Sequence, residues 1–221
     1  KIEEIEIIFL VIIPAILSFL LIPWIKKLSY RLFFLDKPNY RKLQEKPLPN
    51  LGGLAIFISY LIGIIHLKIN TNIYFENFNT IIISSFGVLL IGLLDDLYNL
   101  SPLIRLVSHF CITSFIWSKN INISYLNFEY FNFGINSLKI PNFLSLIVTF
   151  FWFGGIINAI NWIDGINGLA SGVAILILIG IAKIAFAKDL IGLAFISLIL
   201  IGACLGFMVQ NLRPNNIIMG D

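Results

Sequence analysis

Residues 158–170 read "NAINWIDGINGLA" and directly follow one of the most apolar stretches of the chain. A segment destined for a lipid or protein interior should avoid asparagines and an aspartate. On a helix, positions three apart share a face. Asn158, Asn161 and Asp164 are spaced i, i+3, i+6, with Ala159, Ile160, Trp162 and Ile163 between them. The spacing predicts a helix that ends in a polar stripe. Gly165 and Gly168 then loosen the backbone and let a ligand come close. Carboxamides both donate and accept, which suits a nucleobase or a ribose, and the aspartate takes a donor or a cation. A helix cap with interhelical hydrogen bonds would explain one such residue. A stripe of three leading into Asp164-Gly165 points to function, as ionisable groups at membrane depth generally do.

The rest of the composition makes the surroundings a membrane. The chain is 58% hydrophobic and 12% charged over 221 residues, whereas about a quarter of a soluble domain is charged. The fold class expected is an all-α, polytopic membrane helix bundle. Apolar runs long enough to cross a bilayer, which takes ~20 residues each, fall at about 5–25, 51–69, 80–97, 102–118, 143–160, 169–187 and 189–209. That is seven transmembrane helices, with no soluble domain or linker, so 1–221 reads as one integral-membrane domain. Ser101-Pro102 suits a turn and a helix start, and "AKD" at 187–189 suits a tight hairpin. Cys111 and Cys204 lie inside apolar runs and offer neither a disulfide framework nor metal spacing. His66 and His109 are single histidines in or beside spans and read as structural.

The net charge of +3 says little, but its placement says more. The loop read from Lys26 to Pro49 carries Lys26, Lys27, Arg31, Lys37, Arg41, Lys42 and Lys46. The positive-inside rule puts it in the cytoplasm and the N-terminus outside. The first apolar run follows Glu3, Glu4 and Glu6, so it lacks the basic leader of a signal peptide and reads as a retained span. The loop at about 119–142, with "ISYLNFEYFNF", has the partial alternation of a short external β-hairpin. With seven spans, the polar clusters after spans one, three, five and seven all fall on the cytoplasmic side. Scattered structural polar groups have no reason to share a face, whereas a cytoplasmic active site does.

Each cluster offers a distinct chemistry. Asp95 and Asp96 follow "GVLLIGLL", and a carboxylate inside the bilayer costs ~2.5–3.5 kcal/mol on insertion scales. Consecutive helical residues diverge by roughly 100°, so one site cannot use both equally. One is expected to face reacting phosphates or Mg²⁺ and the other to orient a basic partner, for which Arg105 is the candidate. Asp221, after Met219-Gly220, becomes a metal-ligand candidate as a further carboxylate on the same face. Hard Mg²⁺, or Mn²⁺ in its place, takes carboxylate, carbonyl and phosphate oxygens in an incomplete protein shell. Arg41 and Lys42 can pair with phosphates, although topology alone accounts for most of that loop's charge.

Four motifs, "DKPNYRK…PLPNLGG", "DDLYNLSPLIR", "NAINWIDGINGLA" and "NLRPNNIIMGD", in this order and on one face, resemble those of the polyprenyl-phosphate N-acetylhexosamine-1-phosphate transferases, glycosyltransferase family 4. That family includes phospho-N-acetylmuramoyl-pentapeptide transferase and the enzymes that transfer N-acetylglucosamine-1-phosphate. The resemblance implies a bundle of ten or eleven helices with a cytoplasmic cleft. It implies Mg²⁺-dependent transfer of a sugar-1-phosphate from a UDP-N-acetylhexosamine to a polyprenyl (undecaprenyl) phosphate, with release of UMP. The residues it marks as catalytic are Asp95, which would bind or deprotonate the lipid phosphate, and its partner Asp96. Arg41, Lys42, Arg105, Asn158, Asn161 and Asp164 would bind substrate. Asp221 would hold the metal, with Asn161 as a further ligand. Gln44 and Asn50 depart from the histidine and arginine frequent in the first motif, which argues against a phosphate role for either.

The sequence starts at Lys1 and stops at "IIMGD", where the family continues. A fragment covering the N-terminal two-thirds of the family fold is therefore expected. The "PNYRK" and "LGGLAIF" stretches favour N-acetylglucosamine over muramoyl-pentapeptide transfer in peptidoglycan synthesis. The expected setting is the bacterial cytoplasmic membrane, with no nucleic-acid partner and with homodimerisation as a further option. The CDP-alcohol phosphotransferases also use Asp-Gly motifs, but Asp164-Gly165 is followed by "INGLASG" without their arginine and downstream aspartates. A transporter is the alternative outside enzymes, and it would place polar groups near the midplane rather than at one face.

Overall fold

The computed structural model describes residues 4–36, 47–71, 77–127, 137–213 and 216–220. Seven helices follow one another: α1 (Glu4–Leu32), α2 (Gly52–Asn70), α3 (Phe78–Tyr98), α4 (Pro102–Ser118), α5 (Asn142–Ile163), α6 (Leu169–Ala187) and α7 (Ile191–Asn211). They match the seven apolar runs to within a few residues at most ends. The exception is α1, which continues through Lys26, Lys27 and Arg31. Three of the seven cations assigned to the first loop therefore stand on a helix. Lysine and arginine are good helix formers, so a charge that ends an apolar run need not end its helix.

Six of these helices, all but α4, are long and apolar enough to cross a membrane. At 1.5 Å per residue the 17 residues of α4 reach about 25 Å, short of the ~30 Å hydrocarbon core. α7 is the central helix, with Phe195, Ile199, Ala203 and Phe207 fully buried, and it packs on α1, α2 and α6. Its approach to α1 is set by Gly202 and Gly206. A Cβ at Gly202 would lie 2.2 Å from the Val11 carbonyl oxygen, and one at Gly206 would lie 2.0 Å from that of Ala15. This is the small-residue contact by which membrane helices bring their backbones together. α3, α4 and α5 form a second group, with α4 against both neighbours, and α5 keeps Phe143, Phe151, Trp152 and Trp162 exposed.

Two short antiparallel pairs complete the structure. β3 (Tyr125–Asn127) pairs with β4 (Ser137–Lys139), Leu126 opposite Leu138, as the alternation predicted. β1 (Leu35–Asp36) pairs with β2 (Leu48–Pro49), Leu35 opposite Pro49, which the sequence did not suggest. This second pair returns the chain to α2 beside the ends of α1 and α7.

Candidate active site

The C-terminal ends of α1, α3, α5 and α7 meet the N-terminal end of α2, and the Asp-Asp, Asn-stripe and 216–220 motifs lie there. At the end of α3 the two aspartates part as their helical spacing requires. Asp95 is buried, and its Oδ2 accepts from Arg105 Nη1 at 2.8 Å. Its Oδ1 accepts from the Leu100 amide at 2.8 Å and its carbonyl from the Asn99 amide at 2.8 Å. The α3–α4 turn is thus built on Asp95, with Asn99 in the left-handed conformation that asparagine tolerates. Ser101 caps α4 through Ile104 and Pro102 occupies its first turn, the arrangement expected of Ser-Pro.

Asp96 looks the other way. Its Oδ1 accepts from Asn50 Nδ2 at 2.8 Å, across 46 residues of sequence. Asn50 is buried, and among the described residues its own Oδ1 has no hydrogen-bond partner. Asp96 Oδ2 faces Gly220, where an added Cβ would lie 2.9 Å from it and 2.0 Å from the Asn50 carbonyl oxygen. Gly220 has φ +89°, so only glycine sits there without strain. Sequence reasoning argued against a phosphate role for Asn50 and did not connect it with Asp96, since nothing local ties it to the second motif.

The stripe on α5 splits in the same manner. Asn158 is exposed and donates to the Gly154 carbonyl at 2.7 Å. Asn161 is half-buried. Both line a small cleft between α3, α4 and α5 that also presents Asp95, Arg105 and His109. Asp164 is buried at the end of α5. Its Oδ2 accepts from the amides of Met219 at 2.8 Å and Gly220 at 3.1 Å.

Residues 217–220 run beside the start of α2 like an added strand. Ile218 donates to the Pro49 carbonyl at 2.9 Å, Gly52 to that of Ile218 at 3.1 Å, and Gly53 to that of Met219 at 2.7 Å. Asn211, buried, spans the gap behind them: its Oδ1 accepts from the Gly168 amide and its Nδ2 donates to the Ile217 carbonyl at 2.7 Å. Lys26 Nζ reaches Asn216 Oδ1 at 2.6 Å, which ties α1 to the same segment.

Arg41, Lys42 and Asp221 lie outside the described residues. Among the described residues no three His, Cys, Asp or Glu side chains gather as a metal site. The donor chemistry nevertheless suits a hard cation. Asp96 Oδ2 and the Asn50 carbonyl are oxygens beside Gly220, the Asn50 Oδ1 is buried without a partner among the described residues, and the sequence adds the carboxylate of Asp221 at the next position.

The fold and this site define a multi-pass membrane protein whose helix ends gather carboxylates and carboxamides at one end of the bundle. The glycosyl transferase family 4 model matches residues 78–221, and the chain belongs to that family. It is 31% identical over 212 residues to the probable undecaprenyl-phosphate N-acetylglucosaminyl 1-phosphate transferase of Bacillus subtilis, covering 95% of this chain and 57% of the relative. It is 27% identical to the decaprenyl-phosphate N-acetylglucosaminephosphotransferase of Mycolicibacterium smegmatis, covering 94% of this chain and 54% of the relative. It is 26% identical to the phospho-N-acetylmuramoyl-pentapeptide-transferase of Bacillus mycoides, covering 95% and 67%. The chain thus spans little more than half the length of the first two relatives.

Proposed function

We propose that the protein to which this chain belongs transfers N-acetylglucosamine-1-phosphate from a UDP-sugar to a polyprenyl phosphate. A lipid phosphate oxygen attacks the sugar-bearing β-phosphorus, the bond to the α-phosphate oxygen breaks, and UMP leaves. The observation that carries this reading is the convergence of Asp95, Asp96, Arg105, Asn161 and Asp164 at one end of an apolar bundle. A phosphate-on-phosphate reaction needs its charges neutralised at a place that a long prenyl chain can reach from lipid. The relatives' names, two of three ending in N-acetylglucosamine-phosphate transfer, support this donor sugar.

In this reading Asp95, held by Arg105, handles the lipid phosphate, while Asn158 and Asn161 contact the nucleotide side. Arg41 and Lys42 pair with phosphate oxygens. Asp96, Asn50 and Asp221 would supply hard oxygens to Mg²⁺, with Asn161 as a further ligand. Held by these residues, such a cation would offset charge on the pyrophosphate and on departing UMP. Residues 1–221 form part of one membrane domain in which α4 is a seventh crossing. α4 starts at the carboxylate end and finishes beside the β3–β4 pair, where Trp117 donates to Ser145 at 3.2 Å. The N-terminus then lies outside and the cleft faces the cytoplasm of a bacterial inner membrane.

The test is an assay of the full-length protein in vesicles with undecaprenyl phosphate and Mg²⁺. UDP-N-acetylglucosamine should release UMP and form lipid product, and UDP-N-acetylmuramoyl-pentapeptide should not. The reverse preference would move the protein to peptidoglycan precursor synthesis. Activity with neither would remove the transferase reading.

A further inference from the structure

We propose that Asp164 is a positioning residue that sets the metal carboxylate through the backbone of Met219 and Gly220, and is not a contact for the nucleotide. The inference rests on the preceding assignment of Asp221 as a metal ligand. A carboxylate at the end of a polar helix stripe reads in sequence as a substrate contact, but here one of its oxygens has a different occupation. Asp164 Oδ2 takes two consecutive amide donors, Met219 N at 2.8 Å and Gly220 N at 3.1 Å. Two N–H groups converging on one ionised oxygen form a charge-assisted grip, stronger than hydrogen bonds between neutral groups. Asp164 is 8% exposed, so water competes weakly for that oxygen.

The rest of the 217–220 segment is fixed from three further sides. Pro49, Gly52 and Gly53 hold it as an added strand. Asn211 joins the Ile217 carbonyl to the Gly168 amide, so the α5–α6 loop grips the segment at both of its ends. Asp96 Oδ2 and the Asn50 carbonyl oxygen close over Gly220 so tightly that no Cβ fits. A backbone held at this many points is restricted up to Gly220, the residue that precedes Asp221 in the sequence. Of the acceptors described for that segment's amides, Asp164 carries a charge and the Pro49 carbonyl does not.

The test uses the full-length protein with Asp164→Asn and Asp164→Ala. Hydrogen exchange is read on the peptide containing residues 217–220, without metal or substrate. Losing a hydrogen bond to a charged group should speed exchange at Met219 and Gly220 by about tenfold or more in Asp164→Ala and by less in Asp164→Asn. In kinetics, half-saturating Mg²⁺ should rise by about tenfold while KM for the UDP-sugar stays within about twofold. The double variant Asp164→Asn/Asp221→Asn should need no more Mg²⁺ than Asp221→Asn alone, since residues acting as one unit are not additive. Unchanged exchange in both single variants overturns the proposal, as does a raised KM for the UDP-sugar with an unchanged Mg²⁺ requirement. If Asp164→Ala fails to fold, Asp164→Asn decides by the same readings. An unaltered Mg²⁺ requirement in Asp221→Asn instead defeats the metal assignment, whatever the exchange data give.

Discussion

Asp95 has two duties that a substitution can separate. Its carbonyl and Oδ1 build the α3–α4 turn, and its Oδ2 pairs with Arg105. Asp95→Asn keeps the shape and one acceptor but loses the charge. If the carboxylate handles the attacking lipid phosphate, turnover should fall by about 10²-fold or more while KM for the UDP-sugar changes little. Steady-state kinetics with lipid and nucleotide varied separately would read this, and normal turnover would leave Asp95 as a brace for the turn. Asn161→Ala should do the opposite, raising KM for the UDP-sugar with turnover largely kept, if the carboxamide contacts the nucleotide side as proposed. The divergence of Asp95 and Asp96 was legible from helical spacing alone. Asn50 was not. Its partner is 46 residues away, and only the β1–β2 return brings the two together.

At the scale of elements, close backbone approach carries the packing. Gly206 lies against the Ala15 carbonyl and Gly202 against that of Val11. Gly206→Leu should lower thermal stability in detergent by about 1–3 kcal/mol or more through overpacking. Gly180→Ala in α6, where an added Cβ meets nothing within 4 Å, should be neutral or slightly stabilising. Equal effects at the two sites would mean that the α1–α7 contact is not what limits stability. Helix positions were legible because an apolar run of bilayer length has few alternatives. The end of α1 was not, because composition changes at Lys26 while the helix runs on to Leu32. The β3–β4 pair could be read from its alternation. β1 and β2, two residues each, are too short to carry a period.

For the whole molecule, one arrangement explains both the charge distribution and the cleft. The ends of α1, α3, α5 and α7 and the start of α2 share a side, and the β3–β4 pair lies at the other end of α4 and the start of α5. Single cysteines placed near Lys42 and near Asn127 should be labelled from opposite sides of the membrane by an impermeant reagent. Labelling from one side would mean that α4 does not cross. The chemistry assigned to the cleft has its own direct test. The full-length protein is given undecaprenyl phosphate, Mg²⁺ and UDP-N-acetylglucosamine labelled with ³²P at the β-phosphate, and the label is followed. Phosphosugar transfer predicts that the label moves into the lipid fraction as a pyrophosphate, with one unlabelled UMP released for each lipid product. Label that stays with the nucleotide as UDP while the sugar moves, or no labelled lipid at all, would contradict the account.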